Sequence, residues 1–341
     1  MARMVVFREL GGPGVMRLED VEVRDPGPGE VRVRVAAIGL NRSEVLFRSG
    51  LYIEPVRRFP ATLGTEAAGV VEAVGAGVTG LRPGQPVSTV QTFSMNDYGV
   101  YGERVIVPAA AVLRRPEGVG EVEGAAVWMS YVTAYGALME TGGLRPGDTV
   151  VLNAASSSVG LAAIRVADRL GATPIALTRS AAKKEALLKE GAAEVIVTGP
   201  EEGVAEEDVA EDVAERVLAA TGGRGAELVL DAVAGPGVRD LARAVADGGM
   251  LLVYGALSGQ PTPYPGIELG MPPVAMRTYT MLETTTSPER LRRAEAFVAS
   301  GLRSGAFRPV VDRTFELEEI AEAHRYLESN AQVGKIVVTV P

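Results

Sequence analysis

The sequence predicts an α/β protein: a doubly wound parallel sheet joined to a separate β-rich module. Three observations carry that prediction. From residue 149 onward, short apolar strands alternate with helical segments, the pattern of a parallel sheet covered on both faces. Before about residue 120 the chain reads as Val- and Ala-rich strands broken by Pro/Gly turns. Near residue 122 the texture changes from one to the other.

In chain order, MARMVVFREL reads as a first strand with charges inside it, without the apolar core of a secretion signal. RVRVAAIGL, GVVEAVGAGV and RVIVPAAAVL are further strands, and DPGPGE (25–30) and LRPGQPV (81–87) are turns. EVEGAAVWMSYVTAYGALME (121–140) has helical periodicity, and LRPGD then turns the chain. The next strands are TVVLNAA (149–155), TPIALTR (173–179), EVIVT (194–198), AELVLDAV (226–233) and MLLVYGAL (250–257). Helices begin near Val159, Ala181, Glu206 and Val238. The acidic run at 201–216 reads as a solvated helix face. Residues 258–275, dense in Pro and Gly, read as a loop over the site. TYTMLETTT is expected to be a β-branched edge strand open to pairing with another copy. SPERLRRAEAFVASGL is a helix with a Ser cap and an early Glu, and KIVVTV is the last strand.

A length of 341 residues suggests two domains. The net charge of −9, spread along the chain, disfavours a nucleic-acid partner. No window is long and apolar enough to span a membrane. With no cysteine, disulfides, thiolate nucleophiles and cysteine metal sites are excluded, which fits a cytoplasmic setting. His324 is the one histidine, so any mechanism needing two is excluded; it is read as structural.

The stretch VVLNAASSSVGLAAIRVADRLGA (150–172) has the strand–turn–helix order of a dinucleotide site. Of the three positions of the G-x-G-x-x-G fingerprint, Ala155, Ser157 and Gly160, only the last is glycine. On the fingerprint alone, a plain βα turn serves equally well. Read as a site, Ser157, Ser158 and Val159 present backbone N–H groups to a pyrophosphate, and Gly160 keeps helix and strand close. A bulky residue at Gly160 is then expected to abolish cofactor binding before folding. At the end of the next strand, where an NAD enzyme carries Asp or Glu, stand Thr178, Arg179 and Ser180, with Lys183 a turn later. These suit the 2′-phosphate of NADPH, although Arg and Lys can also simply open a surface helix. Ala234-Gly235 and Tyr254, Gly255, Ala256 and Leu257 lie at two later strand ends, where a ligand crosses an open parallel sheet.

Five segments in order resemble the medium-chain dehydrogenase/reductase superfamily, in its zinc-free quinone oxidoreductase-like branch. They are VRVRVAAIGLNRSEVLFRSGLY (31–52), LGTEAAGVVEAVGAGVTGLRPGQPV (63–87), MSYVTAYGAL (129–138), NAASSSVGLAAIRVADRLGA and FELEEIAEAHRYLESNAQVGKIVV (315–338). The resemblance implies a GroES-like catalytic domain (1–122 and 287–341), a Rossmann NADP-binding domain (123–286) and a homodimer. It also implies departures. Zinc-dependent members carry His where this chain has Thr65, between Gly64 and Glu66. The first cysteine ligand's region holds Asn41 and Ser43. Glu66 alone makes no zinc site. Gln85, where members often have Asp, is expected to be a local turn change.

Without a metal, an already electrophilic quinone or α,β-unsaturated carbonyl is the fitting hydride acceptor. The resemblance marks Asn41 and Tyr52 as donors to its oxygen, Tyr52 as a proton donor, and Thr133 as a neighbour of the nicotinamide ribose. Either Asn41 or Tyr52 can instead be loop packing. Tyr98 and Tyr101, with Phe93 and Met95, are candidates for an apolar pocket wall, and Trp128 for core. One alternative is an enoyl-thioester reductase, with Arg48, Arg57 and Arg58 as contacts for its carrier. Another is an NADPH-binding structural or sensing protein with little turnover.

Overall fold

In the computed structural model the described residues are 1–199, 213–266, 270–271 and 273–341. They form two compact units, Met1–Met129 with Thr285–Pro341, and Ser130–Thr284.

The first unit opens with β1 (Ala2–Phe7), β2 (Met16–Val21) and β3 (Glu30–Gly39). α1 (Arg42–Arg48), β4 (Ala61–Thr62), β5 (Glu66–Val74), β6 (Pro86–Thr89), β7 (Arg104–Pro108), β8 (Val112–Arg114) and α2 (Glu121–Tyr135) follow. α1 lies within the 31–52 segment that carries part of the family resemblance. Its start is an Asn-x-x-Glu capping spacing: the Glu44 carboxylate accepts the backbone N–H of Asn41 at 2.7 Å. The division between the units falls inside α2, which a π-helical turn at Gly136–Thr141 extends. At 81–87, the Gln85 side chain accepts the Arg82 N–H at 3.2 Å, so glutamine closes this turn.

The second unit contains β9 (Thr149–Leu152), α3 (Ser158–Leu170), β10 (Thr173–Thr178), α4 (Lys184–Lys189), β11 (Glu194–Val197) and α5 (Val213–Ala220). It continues through β12 (Ala226–Asp231), α6 (Val238–Arg243), β13 (Val245–Val253), β14 (Ala275–Thr278) and α7 (Leu282–Thr285). Among the described residues its sheet runs β11-β10-β9-β12-β13-β14, all parallel. This is the dinucleotide-binding order, which reverses direction between β9 and β12. The four residues of β9 are fully buried, as a strand covered on both faces requires. α3 lays Leu161, Ala162, Ala163, Ile164, Val166 and Ala167 inward. The expected helix near Glu206 and residues 201–212 of the acidic run lie outside the described residues.

TYTMLETTT is not a strand beyond its first residue. β14, at the edge of the sheet among the described residues, ends at Thr278, and residues 282–285 form α7. Tyr279 turns inward, its hydroxyl 3.2 Å from that of Thr284. Thr280 and Glu283 then close a helical turn: the Glu283 N–H donates to the Thr280 carbonyl, and the Glu283 carboxylate accepts the Thr280 N–H.

The chain returns to the first unit with α8 (Pro288–Ser304), β15 (Val311–Glu316), α9 (Ile320–Glu328) and β16 (Lys335–Thr339). The Ser287 hydroxyl caps α8, accepting the Arg290 N–H at 3.5 Å. β16 pairs with β3, and β3 with β5, so three distant stretches of sequence lie side by side. Val31, Val33, Val35, Ile38, Val71, Ile336 and Val338 fill the core beneath them.

Candidate active site

In the second unit, the turn after β9 is built on the strand reversal. The Asn153 amide donates to the Asp231 carboxylate at 2.9 Å, tying the ends of β9 and β12 together. Asp231 also accepts the N–H groups of Val233 (2.8 Å) and Ala234 (3.0 Å). These three donors hold the Asp231 carboxyl toward its charged form, but burial outweighs them and raises its pKa. Ala154 and Ala234 both have positive φ, +52° and +59°, so each strand leaves the sheet through a left-handed residue.

Ser157 caps α3, its hydroxyl accepting the Gly160 N–H at 3.1 Å, and the Tyr254 hydroxyl is hydrogen-bonded to the same side chain. Burial pushes the Tyr254 phenol well above its ordinary range, so it braces the turn as a neutral group. Of the three expected N–H donors, that of Ser157 is spent on the Ala154 carbonyl at 3.0 Å, whereas the Ser158 and Val159 N–H groups belong to the first helical turn, which intrahelical bonding leaves unsatisfied. With the positive end of a 13-residue helix behind them, they suit a pyrophosphate. Gly160 has a different role. A Cβ there would lie 2.4 Å from the Ala155 carbonyl oxygen, so glycine is required by the turn's own backbone.

At the end of β10, Arg179 is exposed and Ser180 half-buried. The Thr178 hydroxyl accepts the Ser180 N–H at 3.3 Å, so Thr178 shapes the turn from beneath. Lys183 reaches back to the Ser156 hydroxyl at 3.4 Å, which brings a cation beside the phosphate turn. Two cations, with no carboxylate among the described residues of this strand end, fit a 2′-phosphate. The Tyr254, Leu257 and Ser258 N–H groups donate to the carbonyls of Asp231, Ala232 and Val233, so this backbone is zipped onto the β12 end. Gly255 is half-buried, and Ala256 and Leu257 stand exposed. Thr133 is buried within α2.

In the first unit, the structure gathers Asn41, Glu44, Thr65, Glu66 and Lys335. Lys335 Nζ lies 2.5 Å from Glu66 Oε2 and donates to Asn41 Oδ1 at 2.6 Å. Glu66 Oε1 accepts the Met129 N–H at 2.9 Å. The Asn41 amide nitrogen faces the Gly39 carbonyl (3.2 Å) and Glu66 Oε2 (3.5 Å). Since Lys only donates, the oxygen of Asn41 must face it. Every polar atom of the Asn41 side chain is thus engaged within the fold, and its geometry is that of a brace. A Cβ on Gly39 would lie 1.9 Å from the Ala125 carbonyl, which is why the chain can only pass here as glycine.

The Thr65 hydroxyl donates to Glu44 at 2.8 Å. Burial raises the Glu44 carboxyl to about 7, against the pull of that hydrogen bond and of Lys335. These residues do not fit a zinc ion. Both oxygens of Glu66 are taken, Thr65 stands at the histidine position, and the chain has no cysteine. His324 is buried with Nε2 3.2 Å from the Tyr101 hydroxyl.

Tyr52 is half-buried against Phe47, ring edge to face at 6.1 Å, and its oxygen accepts the Gln91 amide at 3.3 Å. Burial raises its phenol pKa, so it stays protonated through neutral pH. Leu51 and Ile53 on either side are about three-quarters exposed. Tyr101 is fully buried and belongs to the core, and Tyr98, half-buried, packs on Phe93 with its hydroxyl donating to Glu30. Trp128 is core. Arg48 is buried, paired with Glu328, and Arg57 pairs with Glu54 and Asp97. Burial keeps Arg48 from an acyl carrier, whereas Arg57 is exposed within a surface ion-pair cluster. Sequence reading missed Glu44, Gln91, Asn153, Asp231 and Lys335; only Glu44, at the capping spacing from Asn41, carried a local signal.

A β-rich unit and a separate unit with a sheet of dinucleotide-binding order together define a two-domain dehydrogenase/reductase. Residues 27–117 match the alcohol dehydrogenase GroES-like domain, and 191–338 match a family described as zinc-binding dehydrogenase. The chain is 33% identical to a quinone oxidoreductase of Pseudomonas aeruginosa, over 99% of both chains. It is 30% identical to a 2-haloacrylate reductase of a Burkholderia species, again over 99% of each. The solved quinone oxidoreductase of Escherichia coli, complexed with NADPH, superposes with a TM-score of 0.89 at 28% identity, covering 99% of this chain and all of that one. The chain belongs to the medium-chain dehydrogenase/reductase superfamily, in its zinc-free, quinone oxidoreductase-like branch.

Proposed function

We propose that the protein is an NADPH-dependent, zinc-independent reductase of quinones or α,β-unsaturated carbonyl compounds. The observation that carries this reading is the closed Lys335–Glu66–Asn41 cluster, in the region the resemblance matches to the ligands of zinc-dependent members. No Lewis acid is then at hand to activate an alcohol, which leaves acceptors that are electrophilic on their own. NADPH, when bound, supplies the hydride. Ser158 and Val159 take its pyrophosphate on their N–H groups, and Arg179, Ser180 and Lys183 take its 2′-phosphate. Tyr52 donates a proton to the acceptor oxygen as negative charge develops there. Leu51 and Ile53 give that residue an apolar rim suited to a flat acceptor. The NADPH-bound structure of the Escherichia coli relative supports the cofactor assignment, and the named activities of the curated relatives support the acceptor class.

A homodimer is part of the proposal. It is supported by the exposed residues of β14, which stands at the edge of its sheet among the described residues.

The test is an acceptor screen following NADPH oxidation with simple quinones, enones and a crotonyl thioester. We expect turnover of quinones or enones, reduced at least tenfold in Tyr52→Phe. A marked preference for the thioester, or tight NADPH binding without consumption across the panel, would overturn the assignment.

A further inference from the structure

We propose that Gln91 is a positioning residue that turns the Tyr52 hydroxyl into an outward proton donor and stabilises the phenolate it leaves. This inference rests on the reading of Tyr52 as the proton donor, and it adds a residue with no motif of its own.

Gln91 lies just beyond β6 and is 5% exposed. Its amide nitrogen sits 3.4 Å from the Phe93 carbonyl and 3.3 Å from the Tyr52 oxygen. A carbonyl only accepts, so the Phe93 contact fixes which end of the amide is NH2. The other N–H of that group then points at the Tyr52 oxygen, and Tyr52 must be the acceptor in their hydrogen bond. A phenol has one proton to give. With Gln91 occupying a lone pair, that proton is not spent on Gln91 and is free for a ligand.

The electrostatics agree with the geometry. Among the described groups facing Tyr52, Glu44 on α1 and Glu54 in the segment after it disfavour the phenolate, as does burial; Gln91 favours it. Phe47 contributes only an apolar ring edge. In the step, hydride adds to the acceptor carbon and leaves an enolate. The Tyr52 O–H bond breaks, the proton passes to that enolate, and the electron pair stays on the Tyr52 oxygen until solvent reprotonates it. The Gln91 N–H already points at the atom on which this charge appears, so no reorganisation is needed at that moment.

The test compares Gln91→Met, which keeps the length and loses the donor, and the near-isosteric Gln91→Glu with Tyr52→Phe. Each is made with and without meta-fluorotyrosine. The fluorine resonance that Tyr52→Phe removes reports the Tyr52 titration directly. In Gln91→Met we expect that resonance to titrate at higher pH and kcat to fall about tenfold or more, the scale of a lost hydrogen bond to a charge. KM should move less than about twofold, with NADPH affinity unchanged. Gln91→Glu, whose carboxylate draws the Tyr52 proton inward, should lose at least as much and fold normally. If Tyr52→Phe is impaired but both Gln91 variants keep wild-type kcat and titration, the Gln91 inference fails alone. If Tyr52→Phe is fully active, the reading of Tyr52 fails and takes this inference with it.

Discussion

Lys335 and Glu66 form an ion pair sealed from solvent, 2.5 Å apart with 1% and 0% of their side chains exposed. They come from β16 and β5, which flank β3, and they meet Asn41 just beyond the end of β3. The pair lies beside Asn41, in the region the resemblance matches to the first cysteine ligand of zinc-dependent members, and Glu66 directly follows Thr65, which stands at their histidine position. It gives the base of the unit a fixed internal cation, held by an amide and a carboxylate that are both satisfied.

Breaking that pair from one side should be costly. Lys335→Met leaves a buried, unpaired carboxylate, so we expect a loss of about 3–5 kcal/mol in unfolding free energy. Adding Glu66→Gln removes the stranded charge and should recover a large part of it. Urea unfolding of the two singles and the double variant measures this directly. Additive losses would mean that the two side chains do not depend on each other.

A second prediction concerns two buried groups with opposite pH behaviour. Glu44 is raised by burial to about 7, so between about pH 4.5 and 7 the folded state holds a proton that the unfolded state lacks. Stability from this group falls as pH rises through that window. His324 is pushed down to about 3 by burial, with Arg48 and Arg42 adding to the effect. Between about pH 3 and 6.5 the unfolded state holds the extra proton, so stability from His324 rises with pH. The two slopes oppose each other from about pH 4.5 to 6.5. In that range Glu44→Gln should expose a stability that rises with pH, and His324→Gln one that falls. Urea midpoints at half-unit pH steps and constant salt provide the check. Profiles parallel to wild type in both variants would remove these two groups as the source.

The division between what the sequence disclosed and what it withheld follows from range. The βα alternation, the strand–turn–helix order at Ser157–Gly160 and the Arg179/Lys183 cluster are local patterns, and each was readable from the sequence; that the Ser157 hydroxyl caps α3 was not. Lys335 meets Asn41 across 294 residues, and that contact exists only because the last strand pairs with β3. Gln91 reaches Tyr52 across 39 residues from a segment with no motif. TYTMLETTT misled for a different reason. Its β-branched composition suits a strand, but its Thr-x-x-Glu spacing at Thr280–Glu283 is a capping pattern, and the buried Tyr279 fixes the choice. Asn41 was legible as a position, with a donor and a packing role both left open, since nothing in its neighbourhood announces the lysine that binds it.

The third prediction revises one made from the sequence. A bulky residue at Gly160 was expected to abolish cofactor binding before it abolishes folding. The missing Cβ would strike the Ala155 backbone, so the first casualty is the turn itself. Gly160→Ala should cost about 1–3 kcal/mol in stability, as overpacking does, and weaken NADPH binding in parallel. Thermal unfolding with and without NADPH, together with a fluorescence titration, follows both quantities. Normal stability with lost affinity would return Gly160 to a direct role at the phosphate.

The last prediction isolates cofactor choice. Arg179 is exposed at the end of β10, and Lys183 is held near the phosphate turn by Ser156. A 2′-phosphate adds close to two negative charges at the adenosine end of the cofactor, and NADH lacks that group. Arg179→Ala should therefore raise the Kd for NADPH about tenfold and leave that for NADH within about twofold. Because Arg179 faces solvent, its contribution is screened, so wild-type NADPH affinity should fall with added salt more steeply than that of the variant. Lys183→Ala should add a further loss specific to NADPH, smaller if the Ser156 contact also orients the turn. Titrating both cofactors against the three proteins at two salt concentrations separates these cases. An NADPH/NADH ratio unchanged by Arg179→Ala would sink the assignment of this strand end to the 2′-phosphate, and leave the pyrophosphate turn on α3 as the recognised part of the cofactor.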